Sequence, residues 1–324
     1  MFQCTLQLSM CNTLAQRVLP LLCVSVLLSS CAAVPHHIAA EVTAPIGLGG
    51  EEAQYAIPTR SDRIGRIVVP VSINGQPDFH LMLDTGATHS VLTSKAASRL
   101  QLNVDTASMS VVQGVSGRLD AHVLDIDQLQ SGALKLRNLR MPVIDGAVVS
   151  GLDGILGVEG LDDKIVTADF VHDRIRIADA NGLHANPSNA VIKFALVSHR
   201  LVVAEGMVGH VPVRAVIDTG GTQTLGNLAL LQALTKAHKG QKSFDSGVID
   251  ITDKLEYGKL LWAPEIRIGP ATITNTAIVF SDFGVFAVWH LDKKPTLLIG
   301  MDVLGQLGEL SINYRRRELE VRSR

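Results

Sequence analysis

Two aspartates with near-identical surroundings are the residues of this sequence best suited to chemistry. Asp84 and Asp218 each follow a run of apolar residues, and each is followed by Thr and Gly. Two carboxylates that are held a few ångströms apart cannot both ionise cheaply, so they share one proton and titrate as a coupled pair. Such a pair can serve as the base that activates water and as the acid that protonates the group under attack. The fold must therefore bring together two aspartates that are far apart in sequence.

The two aspartates belong to two copies of an internal repeat, which indicates the elements that position them. The copies match in an arginine followed by three apolar residues (66–69 and 200–203), in their turns (Gly75 and Gly209) and in the segments before the aspartates (81–83 and 215–217). This pattern predicts a strand, a glycine turn and a second strand running into Asp-Thr-Gly in each copy. Further features recur in order: a predicted helix (94–100 and 228–238), an apolar-apolar-Gly segment (154–157 and 297–300) and a predicted late strand (169–177 and 313–321).

Asp-Thr-Gly with a downstream apolar-apolar-Gly, present twice, resembles the hallmark pattern of pepsin-like and retropepsin-like aspartic proteases. The segment 84–87, Asp-Thr-Gly-Ala, is similar to the retroviral form. The resemblance covers residues 66–321 and implies an all-β, bilobal acid-protease fold with two pseudo-symmetric, barrel-like lobes and short helices. It implies that each aspartate loop is threaded beside its own apolar-apolar-Gly strand. We place the N-terminal lobe at residues 61–182 and the C-terminal lobe at residues 183–324.

The resemblance implies a role for each residue of the two motifs. Asp84 and Asp218 are the expected catalytic pair for hydrolysing a peptide bond with an activated water, and their symmetry leaves open which is base and which is acid. Thr85 and Thr219 are expected to cross-link the two loops by hydrogen bonds beneath the pair. The glycines that follow lack a Cβ and so let backbone N–H groups approach the carboxylates closely; these are Gly86 and Gly220.

A hairpin that covers the substrate, a flap, is also expected. Its predicted tip in the first copy consists of Gly114, Val115, Ser116 and Gly117, whose glycines suit a mobile tip that closes over a peptide. The sequence here has no Tyr-Gly pair, which is a departure from pepsin. Residues 243–258 are the candidate equivalent in the second copy.

The residues after the two motifs bear on the pH of the expected reaction. Pepsin-like enzymes often have a hydroxyl residue there that donates a hydrogen bond to the carboxylate. Ala87 and Gly221 lack this donor, so the ionised form should be less stabilised. We expect an optimum closer to neutral pH than that of pepsin.

The N-terminus is typical of an export signal. Arg17 precedes an apolar segment at residues 18–28 that is too short for a comfortable membrane span. The following Leu-Ser-Ser-Cys resembles a bacterial lipobox, which predicts lipidation of Cys31. An ordinary secretory signal cut after Ala33 is the alternative.

The lipobox resemblance sets the expected location of the chain. Residues 1–31 are the predicted lipoprotein signal peptide, and the Pro- and Gly-containing residues 32–60 are a predicted flexible tether. Ala32 is not an aspartate, which favours outer-membrane sorting. The resulting prediction is a lipid-anchored protein of the bacterial cell envelope, facing the periplasm from the outer membrane.

Composition excludes several other kinds of site and partner. All four cysteines lie within the first 31 residues, so the body has neither a disulfide framework nor a cysteine zinc site. The formal net charge of −2, without a large basic block, gives no reason to expect a nucleic-acid partner. No metal or organic cofactor is implied. The expected partners are a peptide or protein substrate and the membrane, and one chain with both aspartates is expected to act as a monomer.

Three other interpretations account for part of the motif pattern. Asp-Thr-Gly is also a common turn after a strand, although this does not explain two copies with matching surroundings. A catalytically inactive relative would keep the fold as a binding module in the cell envelope. A glycoside hydrolase also uses paired carboxylates, but that class explains neither the Thr-Gly pairs nor the repeat.

Overall fold

A computed structural model describes residues 55–56, 65–181, 189–198, 200–237 and 242–323. The predicted signal peptide, the lipobox Cys31 and all but two residues of the predicted tether lie outside these ranges. Across the described residues, no helix has the length and apolar character needed to span a membrane.

Strands dominate the described residues. The strands of the N-terminal half are β1 (Tyr55–Ala56), β2 (Val68–Ile73), β3 (Gln76–Leu83), β4 (Val91–Leu92), β5 (Ser108–Gln113), β6 (Arg118–Ser131), β7 (Leu134–Pro142), β8 (Gly154–Leu156), β9 (Lys164–Asp169) and β10 (Arg174–Asp179). Those of the C-terminal half are β11 (Ala190–Val197), β12 (Leu201–Val208), β13 (Val211–Ile217), β14 (Leu225–Gly226), β15 (Phe244–Ile249), β16 (Leu255–Trp262), β17 (Ile266–Ile268), β18 (Ala271–Ile273), β19 (Ala277–Phe280), β20 (Thr296–Ile299), β21 (Leu307–Asn313) and β22 (Glu318–Ser323). The helices are α1 (Ser94–Arg99), α2 (Leu228–Ala237), α3 (Gly284–Val288) and α4 (Met301–Leu304), with a 3-10 turn at Ala147–Val149.

These strands build two lobes that share a central sheet. The first lobe is a sheet in the order β4-β8-β3-β2-β6-β5, with β7 paired to β6. The second lobe is the run β12-β13-β20-β14-β19-β16-β15, with β17 and β18 at its side. The central strands β1-β10-β9-β21-β22-β11 contain elements of both halves, since β9 pairs antiparallel with β21. The predicted all-β, bilobal fold is therefore confirmed.

The internal repeat is visible in how the aspartate-bearing strands are threaded. In the first lobe β3 runs parallel to β8, and in the second lobe β13 runs parallel to β20. The short strands β4 and β14 then return antiparallel to β8 and β20. The residues immediately before both aspartates are at most 2% exposed, so the base of each loop is fixed in an apolar core.

The predicted late strands are wrong as single strands, because each contains a turn between two antiparallel strands. Residues 169–177 include the end of β9 and the start of β10, and residues 313–321 include the same parts of β21 and β22. Asp169 accepts hydrogen bonds from two backbone N–H groups of its turn, and Asn313 accepts one from Arg316. Asp and Asn stabilise turns through such bonds, and this signal was present in the sequence.

Two residues of the segment predicted to be a tether form a short strand. Tyr55 and Ala56 pair antiparallel with Ile175 and Arg174 of β10. β10 has β9 on its other side, so β1 pairs backbone groups that would otherwise form an open sheet edge.

Candidate active site

The structure brings Asp84 and Asp218 together between the lobes. Each aspartate lies just beyond the end of its strand, where its backbone N–H donates to the neighbouring parallel strand, to Leu156 O and to Ile299 O respectively, both at 3.0 Å. The two carboxyl groups lie close enough that each influences the pKa of the other. A pair of carboxyls in such contact can hold one proton between them.

The backbone after each aspartate binds its carboxylate. Asp84 Oδ1 accepts from the N–H groups of Gly86 (2.8 Å) and Ala87 (3.0 Å). Asp218 Oδ1 accepts from Gly220 (2.9 Å) and Gly221 (3.1 Å) in the same way. One oxygen of each carboxylate is thereby fixed, which orients the pair.

The glycines of the two motifs also make room for the aspartate of the other lobe. A Cβ on Gly220 would lie 2.2 Å from Asp84 Cγ, and one on Gly86 would lie 2.9 Å from Asp218 Oδ1. No side chain fits at either position without displacing a carboxylate. The glycines therefore allow both the N–H contacts expected from the sequence and the approach of the two lobes.

Thr85 and Thr219 form the cross-link that the resemblance implies. Thr85 Oγ1 donates to Ile217 O (2.7 Å) and accepts from Thr219 N (3.0 Å). Thr219 Oγ1 donates to Leu83 O (2.7 Å) and accepts from Thr85 N (3.1 Å). Both threonines are at most 1% exposed, so these four bonds join the loops in a water-free setting where an unmade bond is costly.

A second pair of acidic residues supports the loops from outside and was missed at the sequence level. Glu159 accepts a hydrogen bond from Ser90 N (2.6 Å), and Asp302 accepts from both the N–H (3.0 Å) and the hydroxyl (2.7 Å) of Thr224. Each acid stands two residues after the glycine of its apolar-apolar-Gly segment. Extending the comparison of the two copies by two residues would have found them.

Burial raises the pKa of both central carboxyls. For Asp84 the pKa lies well above its usual range, first because the group is desolvated and then because the charge of Asp218 faces it. The pKa of Asp218 is raised by burial, and the N–H of Gly220 and the interaction with the Asp84 carboxyl act against that rise. The pair therefore retains a proton to higher pH than an exposed aspartate.

The predicted flap residues form the tip of a hairpin, here named the first flap, which consists of β5, β6 and the tip Gly114–Gly117. The tip is closed by the bond from Gly114 N to Gly117 O at 2.8 Å. The candidate region in the second copy is also a hairpin, the second flap, made of β15, β16 and the tip 250–254. Each tip packs against an apolar cluster of the opposite lobe. Val115 contacts the cluster that contains Val216, and Ile251 contacts the cluster that contains Met82.

Cys31, the predicted lipidation site, lies outside the described residues. Within the ranges that the structure describes, no group of three or more His, Cys, Asp or Glu side chains is arranged to hold a metal ion.

Comparison with known proteins gives one finding. A family model described as aspartyl protease (Asp_protease_2) matches residues 69–159 and 204–303, which together make up more than half of the chain. Each matched segment contains one of the two Asp-Thr-Gly motifs. No curated protein matches the chain significantly.

Proposed function

This chain belongs to the aspartyl protease family, and from that premise we propose that it is an active aspartic endopeptidase. The observation that carries the proposal is the intact dyad, in which the carboxyls of Asp84 and Asp218 each pack against the glycine of the other loop and each is held by two backbone N–H groups. Because one chain supplies both carboxyls, the proposal includes a monomeric enzyme.

The proposed reaction needs only the shared proton and water. The ionised carboxylate takes a proton from water while the water oxygen attacks the carbonyl carbon of the peptide bond. The protonated carboxyl donates its proton to the carbonyl oxygen, which yields a tetrahedral diol. Proton transfer to the amide nitrogen then lets the C–N bond break, and the departing amine and the new carboxylic acid leave the dyad with one proton.

The test is to incubate the purified chain with a mixture of unstructured proteins from acidic to neutral pH and to identify new peptide ends by mass spectrometry. The matched control is the double variant Asp84→Ala, Asp218→Ala. We expect cuts with the wild type that disappear in the double variant. The absence of cuts at every pH would favour the binding module, and release of reducing sugar would favour a glycosidase.

The residue after the first motif should tune the pH profile. Gly221 is oriented so that a Cβ would lie 2.9 Å from Asp218 Oδ2, and Ala87 occupies the matching position beside Asp84. A hydroxyl in Ala87→Ser can therefore donate to Oδ2 of Asp84, the oxygen that the N–H groups of Gly86 and Ala87 leave free. This bond stabilises the ionised form and lowers the pKa of the pair.

We expect the profile of kcat/KM for Ala87→Ser to shift toward acid by about one pH unit, the effect of one hydrogen bond to a charged group. Ala87→Val, which has no hydroxyl, is the control for side-chain bulk. An unchanged profile in the serine variant, or an equal shift in both variants, would contradict this role for position 87.

We further propose that the chain is a lipoprotein of the bacterial cell envelope, anchored through Cys31 in the outer membrane and facing the periplasm. The proposal rests on the apolar segment 18–28 and the lipobox-like tetrapeptide after it. Metabolic labelling with a radioactive fatty acid should mark the wild-type chain and fail on Cys31→Ala. Labelling that persists in the variant would refute the anchor at Cys31.

A further inference from the structure

One buried carboxylate joins the tips of the two flaps. Asp250, at the tip of the second flap, is 5% exposed. Its Oδ2 accepts from the backbone N–H of Ser116 in the first flap at 2.6 Å. Its Oδ1 accepts from the N–H of Thr252 at 2.8 Å and from the hydroxyl of the same residue. One oxygen therefore orders the tip of the second flap, while the other binds the first flap.

The approach of the two tips leaves no room for a side chain at Gly114. A Cβ there would lie 2.5 Å from Asp250 Oδ2 and 2.9 Å from Thr252 Cγ2. Gly114 has no positive φ angle, so the close approach of the opposite tip, rather than the backbone conformation, requires glycine. Glycine at residue 114 thus has a physical reason other than mobility of the tip, which is the contact between the flaps.

Each tip is also bound to the body of the opposite lobe. Val115 O accepts from Val285 N at the start of α3 in the second lobe, at 3.1 Å. Asp253 Oδ1, in the second flap, accepts from Ala147 N in the first lobe at 2.9 Å. Lys254 Nζ lies 3.5 Å from Arg118 O. The flaps thus cross, and the bond between Asp250 and Ser116 lies where their tips meet.

We propose that Asp250 is a positioning residue that latches the two flaps together across the cleft. This role rests on the proposed protease function. A peptide substrate that enters between the flaps and the dyad must first separate the two tips. A carboxylate is well suited to this contact, since hydrogen bonds to a charged acceptor are about twice as strong as those between neutral groups. Reclosure through Asp250 then holds the extended peptide against the two aspartates.

Three substitutions test whether Asp250 holds the flaps together. In Asp250→Asn the side chain has one acceptor oxygen in place of two, so it can keep the two bonds from Thr252 only by turning its amide toward Ser116 N, where no bond forms. Ser116→Ala is the matched control, because Ser116 contributes its backbone N–H and its buried hydroxyl has no hydrogen-bond partner. Gly114→Ala forces the tips apart from the first flap by placing a Cβ against Asp250 and Thr252, while leaving the residues of the second flap themselves unchanged.

Hydrogen exchange of the full chain, followed by mass spectrometry, measures how often the flaps separate and does not require catalysis. We expect exchange in peptides covering residues 108–118 to rise about tenfold in Asp250→Asn and in Gly114→Ala, and to stay at the wild-type rate in Ser116→Ala. Gly114→Ala keeps the test decisive if Asp250→Asn fails to fold, as judged by circular dichroism. Asparagine at residue 250 can still accept from Ser116 N, so the decisive variant is Gly114→Ala, and wild-type protection of residues 108–118 in that folded variant would overturn the latch.

Kinetics with a cleavable peptide separates the positioning role from the chemistry. Asp250→Asn should lose about tenfold in kcat/KM, through KM, with an unchanged pH profile, because the dyad itself is intact. A fall in kcat with unchanged KM would overturn the positioning role. If the wild type cleaves nothing while flap exchange responds as expected, the proposed function fails and the contact between the flaps stands.

Discussion

Replacing either central aspartate by asparagine should lower the kcat/KM of the proposed protease by about a thousandfold or more. An amide can neither take the proton from water nor exchange one with its partner, so Asp84→Asn and Asp218→Asn each remove the whole acid–base cycle. The two single variants and the double variant should have similar residual rates, because the carboxyls act as one unit. The measurement is peptide cleavage at the pH optimum of the wild type.

Loss of activity counts only if the variants remain folded, and the pKa shifts predict that they do. Burial raises the pKa of both carboxyls, so the protonated pair stabilises the folded state at acid pH, and this contribution is lost as pH rises through the folded-state pKa. Asparagine does not ionise, so Tm of Asp84→Asn should equal or exceed that of the wild type near neutral pH, with a smaller difference in acid.

The control for this series is Asp127→Asn, which changes an exposed aspartate on β6 beyond the residues of that strand that pair with β5 in the first flap. It should retain wild-type kcat/KM and Tm. Cleavage by Asp84→Asn within tenfold of the wild-type rate, in a folded variant, would remove the dyad from the mechanism.

Thr85→Val destabilises the fold by about 2–5 kcal/mol and disturbs the dyad at the same time. Valine has nearly the shape of threonine but no hydroxyl, so Ile217 O loses its donor and Thr219 N loses its acceptor. Both groups are buried, and each unsatisfied buried polar group costs about 1–3 kcal/mol. Urea unfolding at the pH of maximum stability gives the change in the free energy of unfolding.

The same substitution should lower kcat by about a hundredfold, because the cross-link sets the separation of the two aspartate loops and a small displacement of reacting groups is costly. Thr85→Ser keeps the hydroxyl and should recover most of the stability and the rate. Equal losses in the serine and valine variants would show that packing of the methyl group matters and that the hydrogen bonds do not.

The sequence predicted the all-β bilobal fold through its resemblance to aspartic proteases, and the resemblance was specific because the motif pattern occurs twice. A single Asp-Thr-Gly is compatible with an ordinary turn, but two copies with matching upstream strands and downstream apolar-apolar-Gly segments indicate one architecture twice. The apolar residues before Asp84 and Asp218 are buried in the core. Local patterns of this kind predict elements well because strand and turn preferences depend on neighbouring residues.

Contacts between the lobes were harder to predict, because they join residues with no local relation in sequence. Gly220 has to be glycine because Asp84 of the other lobe lies against it, and Gly114 because Asp250 does. Asp250 itself resembles any acidic residue of a polar turn until the second flap is placed against Ser116. The repeat and its chemistry could thus be read along the chain, whereas the packing of one lobe on the other, which is set by three-dimensional shape and burial, determined how the two aspartates and the two flaps meet.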